Sequence, residues 1–274
     1  PDALVVVSAD AVYKLDYRDV VDGHLGSGAE VTMVTTEVEA DDASRYGIVE
    51  VDGDRVTGYA YKPDEPATTT ATNEVFVFTP TPTLDRLEAL ARDAGEDGLE
   101  DLGTKLLPAM TADGLARAHA LEGYWRDVGT VPAYWEAHRD FIQEQPPLDL
   151  DDPSWAIRTR GGRHSAARLL RGAVVEDSLV SGGTRVGGEV RGSVLSPGVV
   201  VEQGATVVDS VLLPGARVRA GATVTRAVLD DGVEIGESAT VGGDGDITLA
   251  GRRAAVEAGA HLAAGARLPE PEDD

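Results

Sequence analysis

Two aspartates and one lysine stand at points of the chain where chemistry can be done. Asp10 follows the apolar run Leu4-Val5-Val6-Val7, and in an open α/β sheet ligands sit outside the carboxyl ends of the strands. A carboxylate there faces the usual binding crevice, although a helix cap would use the same residue type. Asp127 lies in Tyr124-Trp125-Arg126-Asp127-Val128-Gly129-Thr130, where aromatic residues before it and glycine after it describe a tight packed turn leading into a helix near Tyr134-Trp135. Two such aspartates from separate strand ends can share a hard divalent cation, which prefers oxygen ligands and keeps several waters. Lys62 ends a strand and precedes Pro63, whose fixed φ holds the ammonium in one place, as a phosphate oxygen requires. On composition alone, a surface lysine at a strand end is the plainer reading.

Other chemistries are excluded. The chain has no cysteine, hence no disulfide, Cys-ligated metal or thiol nucleophile. His24, His119, His138, His164 and His261 show no metal-binding spacing. Neither a G-x-S-x-G elbow nor a G-x-x-x-x-G-K-[ST] loop occurs, so serine-hydrolase and P-loop chemistry are poor readings.

The 274 residues include 48 acidic and 24 basic side chains, a formal charge of −24. That balance argues against a sequence-independent grip on nucleic acid or on an anionic membrane face, both of which need Lys/Arg patches. Lys14, Lys62 and Lys105 are the only lysines among those basic residues. The longest apolar runs are strand-sized, too short to span a membrane. The chain begins at Pro1 with no secretory pattern, so a processed protein or a piece of a longer one is expected.

The elements that must position these residues differ between the two halves. Up to about residue 143, strand-like and helix-like runs alternate, which favours an α/β layer architecture. Leu4 to Ser8 reads as a strand covered on both faces, Asp16 to Leu25 as a helix, and Val31 to Val38 as a β-branched strand. Tyr46 to Val51 and Arg55 to Tyr61 flank the hairpin signal Asp52-Gly53-Asp54. Val75 to Phe78 follows, then a helix marked by Leu84, Leu87, Leu90 and Ala91. Pro146-Pro147 and Pro153 break regular structure. The expected organisation is 1–145, a linker 146–170, a repeat domain 171–268 and an acidic tail 269–274.

The repeat is explicit. SVLSPGVVVEQGATVVD begins at Ser193, SVLLPGARVRAGATVTR at Ser210 and AVLDDGVEIGESATVGG at Ala227, a period of 17 residues. Gly198, Gly215 and Gly232 fall in register, and a less regular copy starts at Ser178. Six-residue spacing nested in a fixed period is the signature of a parallel β-helix. Because 17 is one short of three sixes, each coil is expected to have one shortened side. Three to five coils suffice to bury a continuous core. A β-sandwich is the rival, but sandwiches do not repeat at a fixed period.

In this order, the segments resemble the bacterial ADP-glucose pyrophosphorylases (glucose-1-phosphate adenylyltransferases). LVVVSADAVYKLDY (4–17) is similar to the family's strand ending in Gly-Asp-His-x-Tyr, and YGIVEVD, YKP, VFVF, DLGTKLLP, GYWRDVGTVPAYW, LDLDDPSWAIRT and DSLVSGG follow at family-like intervals. The resemblance covers nearly the whole chain. It implies an α/β nucleotidyltransferase (Rossmann-like) domain, incomplete at its N-terminus, followed by a left-handed parallel β-helix. Carried over by position, Asp10 and Asp127 match the aspartates that hold the catalytic Mg²⁺, Lys62 matches the lysine that binds the sugar 1-phosphate, and Gly47, Tyr61 and Thr72 match positions lining the glucose 1-phosphate site. The implied substrates are ATP and glucose 1-phosphate, the implied product ADP-glucose for glycogen synthesis, and the implied setting a cytoplasmic homotetramer with no membrane or nucleic-acid partner.

The chain departs from the family pattern. The glutamate before Lys-Pro, which contacts sugar hydroxyls in the family, is Tyr61; Ser-Met-Gly is Thr72-Asn73-Glu74; Gly-Lys-Asp is Gly103-Thr104-Lys105; Gly-Asp-His is Ala9-Asp10-Ala11. Altered polar partners put the sugar identity in question. The family's Gly-rich loop and its arginine, which cradle the triphosphate, are absent, so the isolated chain is expected not to form a nucleotide sugar. Two other readings stand beside this one: a related enzyme for another sugar phosphate, and a non-catalytic regulatory subunit assembled through its β-helix. An acyltransferase reading of the repeat is weaker, because His164 and His261 flank the repeat region instead of lying inside it.

Overall fold

In a computed structural model, which describes residues 1–95, 98–99, 101–158 and 163–269, the chain divides into two units, Pro1–Asp127 and Val128–Asp274. The expected acidic end, Glu270 to Asp274, and residues 159–162 of the expected linker lie outside the described residues.

The first unit is built on a six-stranded mixed sheet. Its strands are β1 (Leu4–Val7), β3 (Val31–Glu37), β4 (Gly47–Asp52), β5 (Arg55–Tyr61), β6 (Thr70–Phe78) and β7 (Ala116–Ala120), in the order β1-β6-β3-β7-β5-β4. β3 lies inside, antiparallel to β6 and parallel to β7, and Val31, Met33 and Val34 are fully buried. Its β-branched run therefore reflects a strand covered on both faces. One face packs Met33, Val49, Val56, Phe76 and Phe78 against Leu106, Leu107 and Met110 of α3 (Leu106–Ala112). The other packs Val34, Val75 and Val77 on Val20 of α1 (Tyr17–Ser27). The Asp16 carboxylate caps α1 by accepting the Arg18 N–H at 3.0 Å, and Gly28 ends it at φ +68°. α2 (Pro80–Ala94) follows β6 and starts with proline in its first turn.

β1 departs from the expectation of a strand covered on both faces. It pairs with β6 on one side and lies at the sheet edge, leaving Leu4, Val5 and Val7 substantially exposed. A continuous apolar run reports the strand but not how many neighbours it has. A separate two-stranded ladder joins β2 (Ala11–Tyr13) to β8 (Trp125–Asp127), with Ala11 opposite Asp127.

The second unit contains α4 (Val131–Asp140) and the repeat, which forms three six-stranded parallel sheets, the sides of a parallel β-helix. Val190, Val207, Val224 and Val241 stack in register on one side, and each is fully buried. Within one coil the strands begin at Thr206, Val211 and Arg217, and the next coil begins at Thr223, so the first side is the shortened one. Six coils are present among the described residues, more than the three regular sequence copies, because the coils at either end have other lengths: Val174 pairs with Glu189, and Ala227 with Thr248. α4 is fastened to the coils within this unit. The Trp135 Nε1–H donates to the Asp209 carbonyl at 2.7 Å, the Trp135 ring lies 4.7 Å from the Arg139 guanidinium and 4.5 Å from that of Arg226, and Arg139 pairs with the Asp209 carboxylate.

Candidate functional site

A cavity of about 190 Å³ opens in the first unit beside β1, β5 and β6, lined among others by Ser8, Gly47, Tyr59, Tyr61, Thr72, Glu74, Asp101 and Gly103. Two of these positions need glycine for space. A Cβ on Gly47 would sit 2.6 Å from the Tyr59 hydroxyl and 2.9 Å from Thr72 Oγ1. One on Gly103 would run into the Tyr61 ring and lie 2.8 Å from the Tyr59 hydroxyl. The Tyr59 hydroxyl, the Tyr61 ring and Thr72 thus converge where two bare backbones leave room. Thr72 is 2% exposed.

The polar wall is organised by one carboxylate. Asp101 Oδ2 accepts the Tyr61 hydroxyl at 3.1 Å, and Asp101 Oδ1 accepts the Gly103 N–H at 2.8 Å. Lys62 follows Tyr61, with its Nζ 4.9 Å from the Tyr61 ring centroid. Its backbone lies at φ +44°, a left-handed conformation unusual for a side chain before proline, and its N–H donates to the Tyr46 carbonyl at 3.0 Å. Hydrogen bonding to Tyr61 and the nearby Glu74 and Asp101 carboxylates hold the Lys62 ammonium above the ordinary lysine range, so it stays charged. Burial pushes the Tyr59 phenol up as well, so it remains a neutral hydroxyl.

The two aspartates sit on the flanking ladder. Asp10 is the residue before Ala11, which faces Asp127 across β2 and β8, so the ladder brings the two aspartates within one residue of register. Asp10 accepts the hydroxyl of Ser8, which lines the cavity. Asp127 Oδ2 accepts from Arg45 Nη2 at 3.0 Å. Arg45 closes a short 3-10 turn, Ala43–Arg45, and its neighbour Tyr46 packs edge-on against Trp125 with centroids 5.3 Å apart. Gly47, Tyr61 and Thr72 therefore share one cavity; Lys62 packs on Tyr61 and Asp10 bonds Ser8 of its lining, while Asp127 bonds Arg45, which stands outside that lining.

As a donor set for Mg²⁺ the pair is chemically apt. Both donors are hard carboxylate oxygens, and a Mg²⁺ site of one or two carboxylates is completed by waters and phosphate oxygens. Among the described residues no cluster of three or more His, Cys, Asp or Glu could hold a metal alone. Sequence reasoning did not single out Tyr59, Asp101 or Arg45, and took Glu74 as a departure from pattern and nothing more. The aspartate beginning DLGTKLLP was the available signal for Asp101. No local signal marks Arg45, whose partner Asp127 is 82 residues away.

Comparison with known proteins agrees with this architecture. A model of the nucleotidyl transferase family matches residues 1–144, and one described as GlmU-like, C-terminal hexapeptide matches 164–259. Glucose-1-phosphate adenylyltransferase of Streptomyces avermitilis is 39% identical over 229 residues, covering 76% of this chain and 56% of the relative. The enzymes of that name from Streptomyces coelicolor and Acetivibrio thermocellus are 37% and 35% identical, covering 76% of this chain and 57% and 49% of their own lengths. The chain thus spans about half the length of the curated relatives it matches. No helix among the described residues is long and apolar enough to cross a membrane. With a nucleotidyl transferase match over the first half and glucose-1-phosphate adenylyltransferases among its relatives, this chain belongs to the nucleotidyl transferase family.

Proposed function

We propose that the cavity and its flanking ladder are the sugar-phosphate and metal-binding part of a glucose-1-phosphate adenylyltransferase acting in glycogen biosynthesis. The observation that carries this reading is the convergence of Gly47, Tyr61 and Thr72 on one cavity, with Lys62 packed on Tyr61, Asp10 bonded to Ser8 of the lining and Asp127 paired with the residue that follows Asp10. Lys62 would bind the phosphate of a hexose 1-phosphate, and the hydroxyls and carboxylates of the cavity would take its ring. An oxygen of that phosphate attacks the α-phosphorus of ATP; the new P–O bond forms as the bond from the α-phosphorus to the pyrophosphate oxygen breaks, and pyrophosphate leaves. The nucleophile is already an anion, so no general base is required, and alignment carries the catalysis. Asp10 and Asp127 would hold Mg²⁺, which when bound neutralises charge on the triphosphate. An assembly of four cytoplasmic copies fits the same reading.

The glycine-rich loop and arginine that the family applies to the triphosphate have no counterpart in residues 1–274. We therefore expect the 274-residue chain alone to release no pyrophosphate from ATP and glucose 1-phosphate. Turnover by that chain would refute the division of the site. In a protein extended to include a triphosphate loop, Asp127→Asn should lower kcat by about 10² or more, as loss of a preorganised charge does; unchanged activity would favour a regulatory subunit. A different sugar phosphate is the second reading, favoured by Tyr61 and Glu74 in the cavity wall, and a pyrophosphate-release panel of sugar phosphates separates the two.

A further inference from the structure

Glu74 occupies a backbone position suited to glycine. It lies in the middle of β6 at φ +60°, in the left-handed region that ordinary side chains seldom enter. The pairing of β3 with β6 slips there, Met33 facing Phe76 but Thr35 facing Thr72. Asn73 holds the irregularity from within: it is 1% exposed, and its Oδ1 accepts the Val75 N–H at 3.2 Å, spanning Glu74. The Glu74 carbonyl is engaged too, accepting from Ser8 N at 3.0 Å. The outcome is a strand that buries Thr72, Asn73 and Val75 while turning Glu74 outward into the wall of the cavity. Its carboxylate acts electrostatically on Tyr59 and Lys62, which places it among the polar groups already described. Thr72, buried on the same strand, lines the same cavity.

The carboxylates of the wall are thus distributed in an unusual way. Position 61, where the resembled family carries a sugar-contacting glutamate, holds a tyrosine whose hydroxyl is committed to Asp101. On the neighbouring strand, a position whose backbone favours glycine carries a glutamate instead. We infer that Glu74 is the specificity-determining residue of this cavity, accepting hydrogen bonds from ring hydroxyl or ammonium groups of a hexose 1-phosphate in place of the glutamate that Tyr61 replaces. This rests on the reading of the cavity as a sugar-phosphate site. A strained backbone maintained at a binding wall is what such a role predicts, because the conformation is unfavourable for the fold and useful to the ligand.

Calorimetric titration of the 274-residue chain with glucose 1-phosphate, glucosamine 1-phosphate and inorganic phosphate tests this, using Glu74→Gly, Glu74→Gln and Lys62→Gln. Expected is a loss of at least tenfold in hexose 1-phosphate affinity for both Glu74 variants, with inorganic phosphate affinity unchanged within twofold. Glu74→Gly should also melt at the same temperature as the parent or higher, since glycine relieves the strain. Hexose 1-phosphate affinity unchanged in Glu74→Gly would overturn the proposal, and so would a lowered Tm accompanied by equal losses for all three ligands, the mark of a structural role. Whichever sugar the parent chain binds more tightly identifies hydroxyl or ammonium as the group Glu74 takes. If the parent chain binds no hexose 1-phosphate, or if Lys62→Gln leaves every affinity unchanged, the sugar-phosphate reading itself fails and the assignment of Glu74 falls with it.

Discussion

Arg45 Nη2 donates to Asp127 Oδ2 at 3.0 Å, so one of the two carboxylates proposed for a metal is already held by a cation of the same unit. Arg45 also reaches the Asp42 carboxylate at 3.2 Å and lies 5.4 Å from the Tyr46 ring. The carbonyl of the next residue, Tyr46, takes the Lys62 N–H, which ties this segment to the lysine proposed for the phosphate. A dication approaching Asp127 must share its charge with Arg45 or displace it.

Replacing Arg45 should therefore strengthen metal binding. The pair is partly exposed, Arg45 at 40% and Asp127 at 20% of side-chain area, and exposed ion pairs contribute at most about 1 kcal/mol. Arg45→Gln is expected to tighten Mn²⁺ or Mg²⁺ binding by up to about fivefold, read by paramagnetic relaxation or calorimetry. Weaker binding in the variant would mean that Arg45 orients Asp127 for the metal instead of competing with it.

A methyl group at Gly103 should close the cavity. Its Cβ would meet the Tyr61 ring and the Tyr59 hydroxyl, so Tyr61 must rotate and give up its bond to Asp101. Gly103→Ala is expected to lose at least tenfold in hexose 1-phosphate affinity and to cost about 1–3 kcal/mol, the usual range for overpacking. Binding at the level of the parent chain would show that the tyrosines can shift without consequence.

The contrast between Asp127 and Arg45 shows where sequence legibility stops. Asp127 was visible because its aromatic and glycine neighbours are local, whereas Arg45 is defined by a partner far along the chain. The β-helix was legible for a related reason: a fixed period makes each local pattern a statement about the next coil, so Val207 announces Val190 and Val224. Where the period changes, as between Ala227 and Thr248, that inference lapses and the end coils are missed. Trp135 belongs to the same lesson. Its motif was legible, but its hydrogen bond to the Asp209 carbonyl joins segments that no spacing rule connects. Glu74 was readable as an altered residue, whereas its left-handed backbone depends on the β3–β6 slip and could not be read from residue type.

His24 is expected to make the first unit sensitive to mild acid. It is 1% exposed, with Nδ1 2.9 Å from Thr32 Oγ1 and Nε2 3.0 Å from Thr79 Oγ1. Thr79 Oγ1 donates its own hydrogen to the Ala29 carbonyl, so it accepts from Nε2–H, and Nδ1 is left to accept from Thr32. Burial lowers the His24 pKa, so below the ordinary histidine value of about 6.5 the unfolded chain binds the proton more readily than the folded one. The His24 contribution is complete above that value and is lost as pH falls through it toward the lowered folded value. Urea unfolding of the first unit between about pH 8 and pH 5.5 should show stability falling with acid, and His24→Asn should flatten that slope. An equal slope in both proteins would assign the acid sensitivity to other groups.

The final prediction concerns a line of serines that joins the coils. Ser193 N–H donates to Ser178 Oγ at 3.1 Å, Ser210 N–H to Ser193 Oγ at 3.0 Å and Ala227 N–H to Ser210 Oγ at 3.1 Å. Each serine hydroxyl in turn donates to the carbonyl two residues back, at Glu176, Arg191 and Val208. The residues before these corners, Asp177, Gly192, Asp209 and Arg226, all have positive φ, a bend that turns the following N–H away from the sheet ladders and toward the hydroxyl. Ser210 and Ala227 are at most 1% exposed, so water cannot readily replace the hydroxyl, and an unmet buried N–H costs about 1–3 kcal/mol. Because stability in a stacked repeat is set by nearest-neighbour interfaces, the loss in Ser210→Ala should appear first at the next coil. Hydrogen exchange of the Ala227 amide is expected to accelerate by roughly 5- to 160-fold, the equivalent of that cost, while amides of the first unit stay unchanged. Unaltered protection at Ala227 would show that the coils are held by their apolar stack alone.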